Sequence, residues 1–238
     1  MASAKKFEAV MAQISPWDGF PKTHVGKDED GKLHFIVMAR VLTPFRAKAA
    51  ENLATLLATG LMVGGFAYSL VQAEQPELWH WIAAAILPWI LIPLIRGILG
   101  VLLAKETKIV LTERRFEIHG RWRRRVFDRT LPHTMSLVMH DAAEAEARSN
   151  DLKVRQAARR GKIIQKTPYY GDSAVVSYNY LGQRNDVLVA YPKQIANAVL
   201  MRLKACDAAL DQQLGTGGGV ATDPSDQWTS QPGDLPDD

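Results

Sequence analysis

Two apolar stretches, residues 53–71 and 78–104, are separated by only six residues. The first holds nineteen residues without a charge; the second holds eighteen before Arg96 and resumes from Gly97 to Ala104. A bilayer core about 30 Å thick needs about 20 apolar residues in a helix. Two such helices joined so tightly form a hairpin that returns both flanks to one side. The competing reading, a pair of buried core helices in a soluble protein, fits this length and lack of charge poorly. No apolar block with a small-residue cleavage site opens the chain, so a cleaved signal peptide is not expected.

Charge predicts the sidedness. Cytoplasmic flanks of membrane helices collect Lys and Arg. The connector 73–78 carries Glu74 and Glu77 and no base. Arg40, Arg46 and Lys48 precede the hairpin, and Lys105, Lys108 and a run of arginines follow it. Both termini are therefore expected in the cytoplasm, with the protein in a bacterial inner membrane. Trp79 and Trp81 fall where the second span enters the interface, as amphipathic rings prefer. Gly60 and Gly64 form a small-xxx-small face suited to close helix contact, within the hairpin or between copies. Pro88 and Pro93 each remove a backbone donor and are expected to bend the second span. Arg96 lies near the end of its span, where it can snorkel to the headgroups. A functional intramembrane charge is the alternative, and that requires an oligomer.

The chain has 238 residues and one cysteine, Cys206, which excludes an internal disulfide and a multi-cysteine metal site. Residues 1–50 read as a cytoplasmic N-terminal segment. Within it, Phe7, Val10, Met11 and Ile14 have helical spacing, 15–31 reads as a loop, and 33–42 is either a strand or an interfacial lead-in. Pro44 is expected to end whatever precedes the first span. After the hairpin (51–104, spans about 53–72 and 79–104) the period changes from helix to strand. Short strands are predicted at 107–112, 116–119, 121–131 and 134–139, an antiparallel meander.

An Ala-rich helix over 142–160 interrupts this pattern. Asp141 and Glu144 have capping-box spacing, and Gly161 is placed to close the helix. Its few large aliphatics, Leu152 and Val154, predict an exposed element, either self-stabilised or a partner-binding arm. A strand at 162–166 is expected next, then a hairpin whose strands 174–181 and 187–191 flank 182–186. Pro192 opens a last helix with the apolar stripe Ile195, Val199, Leu203, Cys206 and Leu210, enough to close a sheet. Residues 213–238 read as a disordered acidic tail.

These parts make an α+β chain: a two-helix hairpin, then an antiparallel sheet or barrel with a capping helix. The stretch from Thr107 to Gly120, a strand ending in Leu-Thr, an Arg-containing turn and an apolar strand ending at Gly, resembles the opening hairpin of bacterial pleckstrin-homology-like (PH-like) domains. Arg129-Thr-Leu-Pro-His133, with its apolar-Pro pair, is similar to the following segment. The resemblance covers roughly 105–210. It implies a cytoplasmic PH-like domain over 105–212, a binding or scaffolding module and no catalytic residues.

The most pointed surface feature is the basic turn of Arg121, Trp122, Arg123, Arg124 and Arg125. Each base near an anionic leaflet contributes about 1 kcal/mol of attraction. The turn therefore reads as an anionic-lipid contact or as ordinary positive-inside charge. Arginines with an aromatic also suit a phosphate chain, but nucleic acid is the weaker partner reading. No histidine pair has metal-ligand spacing, and no Gly-rich phosphate loop follows a strand, so no metal, cofactor or enzymatic activity is expected. The expected function is an inner-membrane scaffold or binding protein whose contacts are membrane lipids and protein partners or further copies of itself. The alternatives are an accessory subunit of a secretion or conjugative-transfer machine, and an oligomeric transport or channel subunit.

Overall fold

The computed structural model describes residues 20–27, 32–72, 78–120 and 123–214. The helix expected at 4–14 and the tail past Leu214 lie outside the described residues. The elements run β1 (Lys22–Lys27), β2 (Leu33–Val41), α1 (Pro44–Gln72), α2 (Leu78–Leu103), β3 (Lys105–Thr112), β4 (Arg115–His119), β5 (Arg124–Asp128) and β6 (His133–Met139). Then follow α3 (Ala143–Arg159), β7 (Ala174–Tyr180), β8 (Gln183–Ala190) and α4 (Lys193–Leu214). The fold is α+β, with two long apolar helices, two antiparallel sheets and a C-terminal helix.

Pro44 does not merely end what precedes it; it opens α1. A proline at the first helical position loses no bond, because its missing N–H is unpaired there in any residue. Ala47, Ala50, Ala54 and Ala58 are buried, a seam of small side chains at three- and four-residue spacing. Further along, Gly65 faces α2 closely: a Cβ there would lie 3.2 Å from the Cβ of Ala84. α2 runs unbroken through Pro88 and Pro93. Both helices are long and apolar enough to cross a membrane. Their outer faces are uncovered: Leu56, Leu70, Trp89, Ile90 and Leu102 are 62–69% exposed.

The sheet spans the hairpin. β1 and β2 precede it, yet β2 pairs with β3 along its length, from His34 opposite Thr112 to Val41 opposite Lys105. The five-stranded order is β1-β2-β3-β4-β5, and β6-β7-β8 form a second sheet. Residues 33–42 are thus a central strand and not a lead-in, and their alternation shows it: Leu33, Phe35, Val37, Ala39 and Val41 all point into the core. The 15–31 stretch, read as a loop, contains the edge strand β1. The N-terminal segment and the post-hairpin domain therefore share one sheet.

α4 crosses both sheets, burying Ala196, Val199, Leu200, Leu203, Cys206, Ala209 and Leu210. The predicted stripe is the core-facing one. Each fully buried large aliphatic contributes about 1.5–3 kcal/mol, so this helix is a main source of the domain's cohesion.

Three local expectations need correction. Residues 162–166 are irregular and pair with no strand among the described residues. Asp141 does not cap α3: the N-cap position is Ala142, with no side-chain cap bond, and the Asp141 carboxylate faces Arg184 at 3.5 Å instead. The β7–β8 turn is two residues, Leu181 and Gly182, not five. Both have positive φ, +50° and +78°, as a type I′ hairpin turn requires. Residues 183–186 pair as strand, with a register shift between Val176 and Ser177 absorbing the extra residue. Gly161 closes α3 as expected, at φ +65°.

Candidate functional site

Strand register sorts the charged groups to two ends of the domain. The hairpin leaves from Val41 and returns at Lys105, which pair with each other. Lys108 sits three residues above Lys105, opposite His119, and His119 is opposite Arg124. At about 3.3 Å per residue, the ends of the β4–β5 turn, Gly120 and Arg123, come back nearly to the level of Lys105. The same end collects pieces of the second sheet. Leu42 bridges Tyr191, Ala190 pairs with Ala174 and Ala174 with Met139.

The hairpin end is held by arginines. Arg40 donates to the Val101 carbonyl (2.6 Å) and Arg46 to the Leu103 carbonyl (2.8 Å). These are among the last carbonyls of α2, which have no partner within a helix and carry its negative dipole end. One arginine comes from β2 and one from α1, so the sheet and both helices are tied at one point. Arg96 faces Glu51 at 3.8 Å. Gly60 and Gly64 face open space; within the hairpin it is Gly65 and the alanine seam that make the close approach.

Of the basic turn, Arg121 and Trp122 lie outside the described residues. Arg123, Arg124 and Arg125 are exposed, but two of them have internal partners. Arg124 donates to Glu117 (2.7 Å). Arg125 donates to the Asp186 carbonyl, linking the edge strand β5 to β8. Burial pushes the Glu117 carboxyl up, but the hydrogen bonds and charges of Arg124 and His119 outweigh it and hold it below the usual range. Arg123 is left as the described arginine of the turn with no side-chain partner among the described residues.

A second polar cluster lies at the far end, and the sequence did not announce it. Arg129, just past β5, has a side chain only 1% exposed. It donates to the Asp207 and Asp211 carboxylates, to the Asp207 carbonyl (2.7 Å) and to the Glu113 carbonyl (3.2 Å). His133 Nε2 faces Asp207 Oδ2 at 3.2 Å, and its Nδ1 faces the Leu131 carbonyl at 2.9 Å. Both ring nitrogens meet acceptors, an arrangement that favours the doubly protonated, cationic ring.

The direction of each pKa follows from that geometry. For His133, burial opposes the charge, but the Asp207 and Leu131 hydrogen bonds prevail and the pKa is raised. Asp207 is penalised by burial, yet His133 and Arg129 hold it low. Asp211, mainly through burial and despite Arg129, is pushed up. One guanidinium serves two carboxylates, and Asp207 has the better share. Next to the cluster, Tyr178 stacks on Phe116 at 4.2 Å between ring centroids. Its hydroxyl is buried without a hydrogen-bond partner among the described residues, and burial pushes its pKa up. The sequence holds only a faint trace of this clamp: Asp207 and Asp211 border the buried stripe of α4, where a carboxylate is costly without a partner.

Among the described residues, no group of three His, Cys, Asp or Glu is arranged to hold a metal. Cys206 is buried, which pushes its thiol pKa up to about 12, so it is not poised as a nucleophile. The far-end cluster is a structural clamp fixing α4 to the β5–β6 turn. The hairpin end is the surface with exposed chemistry. Comparison with known proteins gives no match to a family model, a curated protein or a solved structure.

Proposed function

We propose that the chain is a non-enzymatic membrane protein whose two-sheet domain is held against the anionic cytoplasmic face of the bilayer it is anchored in. There it organises lipid and protein contacts. The hairpin spans the inner membrane, with the 73–78 connector outside and both termini inside. The PH-like resemblance belongs to this reading, with two strands supplied from before the hairpin.

The observation that carries the proposal is the register. It brings Arg123 nearly to the level of Lys105, at the same end of the domain as Lys22, Arg40, Arg46 and Lys108. This is where a cytoplasmic leaflet lies if the apolar helices span. Such a leaflet attracts each nearby base by about 1 kcal/mol. Arg124 and Arg125 act chiefly in holding the turn, and Arg123 faces the lipid. Docking as an accessory subunit of a secretion or transfer machine remains compatible, since it needs only a protein partner. The transport alternative is less supported, because Arg96 faces Glu51 within the hairpin.

The test is hydrogen exchange of the full chain in nanodiscs of zwitterionic lipid and of the same lipid with added phosphatidylglycerol. Residues 105–108 and 123–126 should gain protection with the anionic lipid, and Arg123→Glu should remove the gain. Identical exchange in both lipids would overturn the proposal.

A further inference from the structure

The largest feature without a role is the excursion between β6 and β7. It leaves the second sheet after Met139 and re-enters at Ala174, residues paired with each other at the hairpin end. Among the described residues, α3 makes no substantial contact with any strand or other helix. What holds it is its root. Glu146 accepts hydrogen bonds from the backbone N–H groups of Tyr169 (3.0 Å), Tyr170 (2.6 Å) and Gly171 (2.9 Å), stapling the outgoing helix to the returning chain. Tyr169 in turn packs on Tyr191, which bridges Leu42 at the entrance to α1. The arm is therefore rooted beside the hairpin.

Its shape follows from length. Seventeen helical residues at 1.5 Å each extend about 25 Å. The irregular stretch 160–168 is long enough to return that distance when extended. The far tip is then the α3 C-terminus with the residues just past it. A helix running back along the domain would pack on the outer face of a strand; among the described residues α3 makes no substantial contact of that kind, which leaves it free to reach away from the domain at the level of its root.

Charge identifies the occupant. The stretch 152–166 contains six bases and no acid. On α3, Arg148, Leu152, Arg155 and Arg159 recur at i, i+4, i+7 and i+11, one stripe on the side away from buried Ala143 and Ala157. Arg148 and Arg155 are balanced by Glu144 and Asp151 one turn earlier. The imbalance is therefore at the tip: Arg159, Arg160 and Lys162, followed by Ile163, which is 99% exposed. A basic cluster around an uncovered aliphatic is the composition of an interfacial anchor, which combines apolar insertion with attraction to anionic headgroups.

We propose that this arm is a second membrane contact, lying along the anionic leaflet beside the hairpin with its tip of Arg159, Arg160, Lys162 and Ile163 in the headgroup layer. This rests on the hairpin spanning the membrane. The arm would set the domain's rotation about the hairpin axis, which a single contact at Arg123 leaves free.

Native Cys206 is buried, so an introduced cysteine is labelled alone. A fluorophore is placed at Ile163→Cys, and separately at Leu57→Cys on the hairpin's outer face. The full chain goes into nanodiscs of phosphatidylcholine with or without phosphatidylglycerol, carrying spin-labelled lipid as quencher. The expected result is quenching at 163 several-fold stronger with phosphatidylglycerol, abolished by R159E/R160E/K162E, with Leu57→Cys quenched in both lipids. Quenching at 57 with none at 163 overturns the arm contact and leaves the hairpin reading standing, as does a 163 label that reaches only a protein partner in native membranes. Equal quenching at 163 in both lipids, unmoved by the charge reversal, also overturns it. No quenching at 57 overturns the hairpin reading itself.

Discussion

Arg129→Met removes the guanidinium that joins the β5–β6 turn to the far end of α4. Methionine keeps much of the stem's volume, so the change is mainly electrostatic. Asp207 is left with a side chain only 9% exposed and His133 as its remaining counter-charge, 3.2 Å away. Breaking a buried ion pair by removing one partner costs about 3–5 kcal/mol. Because His133 still shares the charge, the lower end is expected, about 3 kcal/mol by the same rule. That corresponds to a roughly hundredfold larger equilibrium constant for opening of α4. The assay is hydrogen exchange of α4 amides in the detergent- or nanodisc-held full chain, with denaturant midpoints alongside. Asp207→Asn in the same chain should restore part of the loss, since the more buried of the two carboxylates is then no longer stranded. A loss below about 1 kcal/mol, the range of exposed pairs, or no recovery in the double variant, would refute the reasoning.

Two further outcomes follow from the same cluster. The folded pKa of His133 is raised above its ordinary 6.5. Its stabilisation is therefore complete below 6.5 and lost as pH rises through the folded value. The denaturant midpoint should fall across that window, and His133→Gln should flatten the fall; an unchanged slope would contradict the cationic assignment. Tyr178→Phe removes a buried hydroxyl without a partner among the described residues, and such a group costs about 1–3 kcal/mol to bury. The variant should unfold at equal or higher denaturant, and a clear loss of stability would mean that the hydroxyl is satisfied in solution.

The hairpin was legible because only Arg96 interrupts its two apolar runs, and α4 because its stripe keeps helical spacing to Leu210. β1 was hidden. Lys22-Thr-His-Val-Gly-Lys27 is polar with a glycine, as an edge strand may be, and among its described side chains only Thr23 is buried. The sharing of one sheet across the hairpin was hidden for another reason. Strands 33–41 and 105–112 are both readable, but nothing local says that they are neighbours until the hairpin brings Val41 beside Lys105. Asp141 misled because cap spacing is short-range, and Arg184 from β8 competes for that carboxylate. The clamp joins Arg129 to residues 78 and 82 positions later, a pairing that only the packed fold supplies. The basic turn was visible as charge, while the internal use of Arg124 and Arg125 was not.

The central claim is that the hairpin end of the domain faces the bilayer. It is tested most directly by the depth of two spin labels in anionic nanodiscs, one at Arg123→Cys and one at Arg114→Cys. Thr112 lies seven residues along β3 from Lys105, which places the β3–β4 turn about 20 Å farther from the membrane than the β4–β5 turn. The account predicts the label at 123 in the headgroup layer and the label at 114 in bulk water. Equal depths, or a label at 123 freely accessible to aqueous quencher, would contradict it.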